Sequence, residues 1–102
     1  MNIRYLENTN SIVEYMTKKY KSYLSYEVIY LSGNFLYTKK QIKNKLKLHN
    51  INIANRLTSK INCIFIGNNA SLNKISTAKE LNITIREKEE LYGFLEYLCI
   101  SN

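Results

Sequence analysis

Aspartate, tryptophan and proline are absent from this 102-residue chain, and glycine occurs only three times, at Gly33, Gly67 and Gly93. With so few breakers, the sequence reads as regular elements joined by short loops. Histidine occurs once, as His49, and cysteine twice, as Cys63 and Cys99. That is no zinc spacing, so neither a metal site nor a cofactor is expected. Without aspartate and with a single histidine, no acid–base pair or nucleophile triad emerges, and the expected role is non-catalytic. No apolar run approaches the roughly 20 residues that span a bilayer. The opening MNIRYLENTN lacks the basic-then-apolar layout of a signal peptide. These absences point to an intracellular, soluble protein with no membrane partner, placed in a bacterial cytoplasm, a nucleus or a viral replication site. The two cysteines then read as buried free thiols.

What is present is enough for one core. Hydrophobic residues make up 45% of the chain, the ordinary range for a globular domain. The formal net charge is +7, and its distribution is uneven. From Val28 to Lys79 there is no acidic residue, while Lys39, Lys40, Lys43, Lys45, Lys47, Arg56, Lys60, Lys74 and Lys79 fall in that stretch. Acids return at Glu80, Glu87, Glu89, Glu90 and Glu96. A one-sign block of this kind attracts polyanions. A lysine-rich solvated surface would give the same composition.

Along the chain, residues 1–10 read as irregular, and the Ser11/Glu14 spacing of a capping box starts a helix near Ile12. Ile12, Met16, Tyr20, Tyr23 and Leu24 form its apolar stripe. Glu27–Ser32 reads as a buried strand ending in Gly33. Thr38 and Gln41 make a second capping box, opening a helix whose apolar face is Ile42 and Leu46 and which ends near His49–Asn50. Ile51–Ala54 is a short strand, Asn55–Lys60 a polar loop, and Asn62–Gly67 another buried strand. A helix follows over about Leu72–Leu81, then a strand at Ile83–Ile85. Leu91, Phe94, Leu95 and Leu98 mark a final helix by their i, i+3, i+4, i+7 spacing, with Glu87, Glu89 and Glu90 in its first turn. The order is α-β-α-β-β-α-β-α. Buried strands separated by helices predict a parallel sheet covered on both faces.

Two stretches carry a family resemblance. One is VIYLSGNFLYTKKQIKNKLKLHN; the other is INCIFIGNNASLNKISTAKELNITIREKEELYGFL. From about Glu27 to Leu98 the chain resembles a BRCT domain, of the type in bacterial NAD-dependent DNA ligases and in the large subunit of replication factor C. It departs from that pattern where the family often carries Gly-Gly after its first helix, for here His49 and Asn50 stand, and in lacking a tryptophan in the last helix. The resemblance implies a three-layer α/β fold: a four-stranded parallel sheet in the order 2-1-3-4, with helices on both faces. It divides the chain into an N-terminal extension with an extra helix, residues 1–26, and a BRCT-like unit, residues 27–102.

In that order the first and third strands are neighbours whose chains leave toward opposite faces. This makes a switch-point crevice at their carboxyl ends. The resemblance and this topology point to a phosphate site made of the Ser32 hydroxyl, the Gly33 N–H and the Lys74 ammonium at a helix amino terminus. Lys39 matches a DNA-contacting basic position of the replication factor C type. Lys40 and Lys43 join it as expected contacts to the DNA backbone, with the N-terminal helix as a further one. Gly67 to Lys74 has the span of a P-loop but lacks the glycine before the lysine. Tyr15, Tyr20, Tyr23 and Tyr26 could stack on bases, although packing against the sheet is the role expected of them. The resulting expectation is a non-catalytic DNA-binding module for a 5′-phosphate at a DNA end or nick in replication or repair, acting alone or within a larger enzyme such as a DNA ligase. The alternative is a protein-interaction module that reads a phosphoprotein or forms a homodimer.

Overall fold

The computed structural model describes residues 3–100, with side chains described from Ser11 onward. Four short strands form the sheet: β1 (Val28–Ser32), β2 (Asn52–Ile53), β3 (Cys63–Ile66) and β4 (Thr84–Glu87). All pair in parallel, in the order β2-β1-β3-β4. Ser32 lies opposite Ile66, and Ile66 opposite Glu87, so three strands end on one row. Asn62 locks the other edge, its side-chain oxygen accepting the Glu27 and Val28 N–H groups.

Alternation along the strands sorts the side chains onto two faces. Ile29, Leu31, Cys63 and Phe65 meet three helices: α1 (Ile3–Tyr20), α2 (Lys39–Lys47) and α4 (Lys88–Ile100). Val28, Tyr30, Ile64, Ile66 and Ile85 face the opposite way, toward Ala78 of α3 (Leu72–Glu80). The three-layer arrangement and strand order are those expected.

The α4 helix organises its layer because each of its sides has a different neighbour. Leu91, Leu95 and Leu98 are buried in the core. Glu90, Gly93 and Tyr97 face the N-terminal segment: Tyr23 Oη donates to Glu90 Oε2 at 3.0 Å, and Tyr20 packs on Tyr97 and against Gly93. Tyr92, Glu96 and Cys99 line the side toward α2, where Lys45 Nζ lies 3.3 Å from Cys99 Sγ. The α1 and α2 helices therefore flank α4 on opposite sides.

Some boundaries differ from the sequence reading. The first helix begins at Ile3, not near Ile12, and continues through a 3-10 turn at Lys21–Ser25. Ser11 thus lies inside it, and residues 3–10 are helical rather than irregular. Met16, Tyr20 and Tyr23 are buried as the stripe requires, whereas Ile12 and Leu24 are exposed, at 56% and 38%. The α2 helix stops at Lys47, before His49, because Asn50 turns left-handed at φ 60°. Ile51 N–H then reaches back to Leu46 O, which satisfies a terminal carbonyl. Asn82 at φ 57° ends α3 in the same way, with Ile83 N–H on Ala78 O. Asparagine thus does at both helix ends what glycine usually does. Glu87 closes β4 instead of joining the last helix. Cys63 is buried as expected, but Cys99 is exposed.

Candidate functional site

The site is built at the carboxyl edge of β1 and β3. Ser32 is the last residue of β1 and shares the α3 side of the sheet with Tyr30, two positions earlier. It is buried, and its hydroxyl oxygen accepts the Ser71 N–H at 3.1 Å. Ser71 caps α3: its own hydroxyl oxygen accepts the Lys74 N–H at 3.3 Å. Two hydrogen bonds in series thus tie the end of β1 to the first turn of α3. The Ser32 hydroxyl keeps its own proton available to donate.

Gly33 follows with φ +94°, a conformation that L side chains rarely adopt. There is also no room for a side chain, since a Cβ there would sit 2.7 Å from Asn68 O and 3.0 Å from Ala70 N. Asn34 and Asn68 exchange two backbone hydrogen bonds, of 2.8 and 2.9 Å, joining the loop after β1 to the loop after β3. Gly67 is required by the same close approach, because a Cβ would collide with the Asn34 carbonyl. Among the described residues, the Gly33 N–H donates to no backbone acceptor.

Lys74 sits in the first turn of α3, and its ammonium lies over the Tyr30 ring, 5.8 Å from the centroid. Its backbone is therefore joined to Ser32 through Ser71, while its charge lies over the ring two residues before Ser32. An unforeseen cation completes the neighbourhood. Lys88, the first residue of α4, donates from Nζ to Asn68 Oδ1 at 2.8 Å, which brings its charge onto the loop that packs against Gly33. Together the edge offers a hydroxyl, an open N–H, a helix amino terminus and two ammonium groups, the components of an anion site, although Lys88 also pairs with Glu89 at 3.8 Å.

The lysines of α2 occupy a neighbouring surface. A cleft of about 300 Å³ runs from Gly33 and Asn34 past Phe35 and Tyr37 to Thr38 and Lys39. A second, open groove of about 570 Å³ is lined by Lys39, Lys40, Lys43, Asn44, Lys47 and Asn55. Lys39 lines both. The helix that presents these lysines is fixed by its capping box, in which Thr38 and Gln41 bond reciprocally, and by burial of Ile42 and Leu46. The N-terminal helix does not join this surface, because α4 lies between it and α2.

The tyrosines near the N-terminal segment are mostly committed to packing. Tyr23 and Tyr26 stack at 5.2 Å, and Arg86 holds them from β4, with its guanidinium 4.4 Å from the Tyr23 centroid and Nε donating to Tyr26 Oη at 3.1 Å. Burial, followed by the hydrogen bond to Glu90, pushes the Tyr23 hydroxyl well above its ordinary pKa. Burial pushes the Cys63 thiol up to about 12. Of Tyr15, Tyr20, Tyr23 and Tyr26, Tyr15 is the largely exposed one, at 64%. Among the described residues, no three His, Cys, Asp or Glu side chains gather to hold a metal ion. No described helix is long and apolar enough to cross a membrane.

No curated protein matches the chain. The family model described as "BRCA1 C Terminus (BRCT) domain" matches residues 19–95, from the end of α1 to α4. With the parallel 2-1-3-4 sheet and its helices on both faces, that match establishes that the chain belongs to the BRCT domain family.

Proposed function

We propose that the chain is a non-catalytic DNA-binding module that recognises a 5′-phosphate at a DNA end or nick. Its family comprises generally non-catalytic modules for protein interaction or DNA binding. The observation that carries the finer reading is the hydrogen-bonded series from Ser32 through Ser71 to Lys74, beside the open Gly33 N–H. In this reading Ser32 and Gly33 donate to phosphate oxygens, and Lys74 leaves the Tyr30 face to neutralise them. Lys39, Lys40 and Lys43 hold the adjoining backbone. Such contacts give affinity and position with little base specificity. The role fits replication or repair, with the chain acting alone or as part of a larger enzyme such as a DNA ligase.

A second reading is protein pairing, through a phosphoprotein or a second copy of the chain. It is favoured by Leu36 and Leu48, which are 79% and 78% exposed beside the grooves along α4. A titration with duplex ends separates the two. The DNA reading expects removal of the 5′-phosphate to weaken binding at least about 10- to 100-fold, since even one charge-assisted hydrogen bond contributes about 1.5–3 kcal/mol. It expects Lys74→Ala to abolish most of that difference. Equal affinity for phosphorylated and unphosphorylated ends would refute it. Binding of a phosphopeptide in preference to DNA would establish the alternative.

A further inference from the structure

The α2 groove extends beyond the lysines assigned above. Lys47 and Asn55, the latter following β2, line it together with Asn44. Lys39, Lys43 and Lys47 recur every fourth residue, so they stand on one face of the helix. No carboxylate lines the groove, and none occurs in the sequence between Val28 and Lys79. No apolar side chain lines it either. A peptide would find no pocket there for its side chains, whereas a sugar–phosphate backbone needs only cations and amide donors. Continuity with the terminal-phosphate edge comes from Lys39, which borders both the groove and the cleft that begins at Gly33.

We infer that the groove holds successive backbone phosphates of the same strand whose 5′-phosphate lies at the Ser32–Gly33 edge, with Lys47 as its far contact and Asn55 on its β2 side. The inference rests on the DNA reading and adds a direction to it. The strand runs from Gly33 along α2 toward β2 and away from α1, which lies across α4. From Lys39 to Lys47 the helix advances about 12 Å at about 1.5 Å per residue. Lys39, Lys43 and Lys47 thus follow one another at about 6 Å along the helix, which leaves room for one phosphate at each.

The test measures affinity against salt for the wild-type protein, Lys47→Ala, Asn55→Ala and, as a control, Lys18→Ala on the exposed side of α1. The probe is a stable hairpin duplex whose 5′-phosphorylated strand keeps charged phosphates over either its first two or its first six or so nucleotides, with neutral methylphosphonate linkages beyond. Lys47→Ala is expected to lower the magnitude of the log–log salt slope by about 0.9, the contribution of one phosphate contact. It should also remove much of the affinity gained on lengthening the charged stretch, whereas Lys18→Ala should leave both unchanged. Asn55→Ala should weaken binding of the probe with the longer charged stretch without altering the slope. If the wild type discriminates the 5′-phosphate but Lys47→Ala keeps the full slope, the path is wrong and the end-binding reading stands. If Lys18→Ala lowers the slope instead, the strand runs over α1 and the path is overturned. If the wild type binds neither probe, both readings fall.

Discussion

Replacing Gly67 by alanine should damage the site without touching any residue that would contact phosphate. The new Cβ would collide with the Asn34 carbonyl oxygen and lie 2.9 Å from Asn34 C, both backbone atoms that cannot swing aside as a side chain could. Relief requires the Ser32–Asn34 turn to move away from the loop after β3. That movement breaks the Asn34–Asn68 pair, whose bonds are 2.8 and 2.9 Å. Two backbone hydrogen bonds contribute about 1–3 kcal/mol together. Loss of glycine's freedom in the unfolded chain offsets about 0.4–1 kcal/mol of this. The net expectation is a loss of about 1–2 kcal/mol, or roughly 4–16 °C in Tm for a domain of this size. Urea and thermal melts measure the stability, and the same sample titrated with phosphorylated and unphosphorylated duplex ends measures the site. The variant should fold, yet lose most of its preference for the 5′-phosphate, because Gly33 no longer sits against Asn68 and Ala70. Unchanged stability and unchanged preference would refute the claim that the two loops are locked by backbone contact.

Two further outcomes concern the packed face. Tyr23→Phe removes the donor to Glu90 Oε2 and should cost about 1–2 kcal/mol in a urea melt, with end binding retained, since α1 lies across α4 from the groove. In the folded protein a thiol reagent should label exposed Cys99 and spare buried Cys63, with the second equivalent reacting only on unfolding. Burial, the main cause, raises the Cys63 thiol from 9.0 to about 12. The folded state therefore holds the proton more tightly, so this stabilisation is complete below about pH 9 and is lost as pH rises toward 12. Between pH 9 and 10 the wild type should lose stability faster than Cys63→Ala, and parallel pH profiles would contradict this.

Much of the fold could be read from the sequence because its signals are local and agree with one another. The runs ending at Ser32 and Gly67, the Thr38–Gln41 box and the Leu91–Leu98 stripe each specify an element, and each element occurs. The Ser11/Glu14 spacing misled because a capping pattern starts a helix only where the preceding chain is not already helical, and here α1 runs unbroken from Ile3 through Ser11. The apolar pattern ends the last strand at Ile85 because Arg86 and Glu87 break its run, whereas β4 continues to Glu87. Arg86 nevertheless stays in the sheet, its charge spread over Tyr23 and its Nε satisfied by Tyr26. At the candidate site, Ser32 and Gly33 are adjacent in sequence and their turn is legible. Ser71 and Asn68 are not, because their roles come from a β1–β3 register that only the sheet creates. The contact between Lys88 and Asn68 spans α3 and β4 in the sequence and leaves no spacing pattern. Cys99 was expected to be buried among neighbours that are, but it lies on the side of α4 where grooves open toward α2.

The most direct measurement is the backbone amide resonance of Gly33 in an NMR titration with a short duplex, with and without its 5′-phosphate. The account predicts a large shift of the Gly33 N–H, with smaller shifts at Ser32 and Ser71, only when the phosphate is present. A Gly33 resonance that stays in place, while amides elsewhere respond to the phosphorylated duplex, would contradict it.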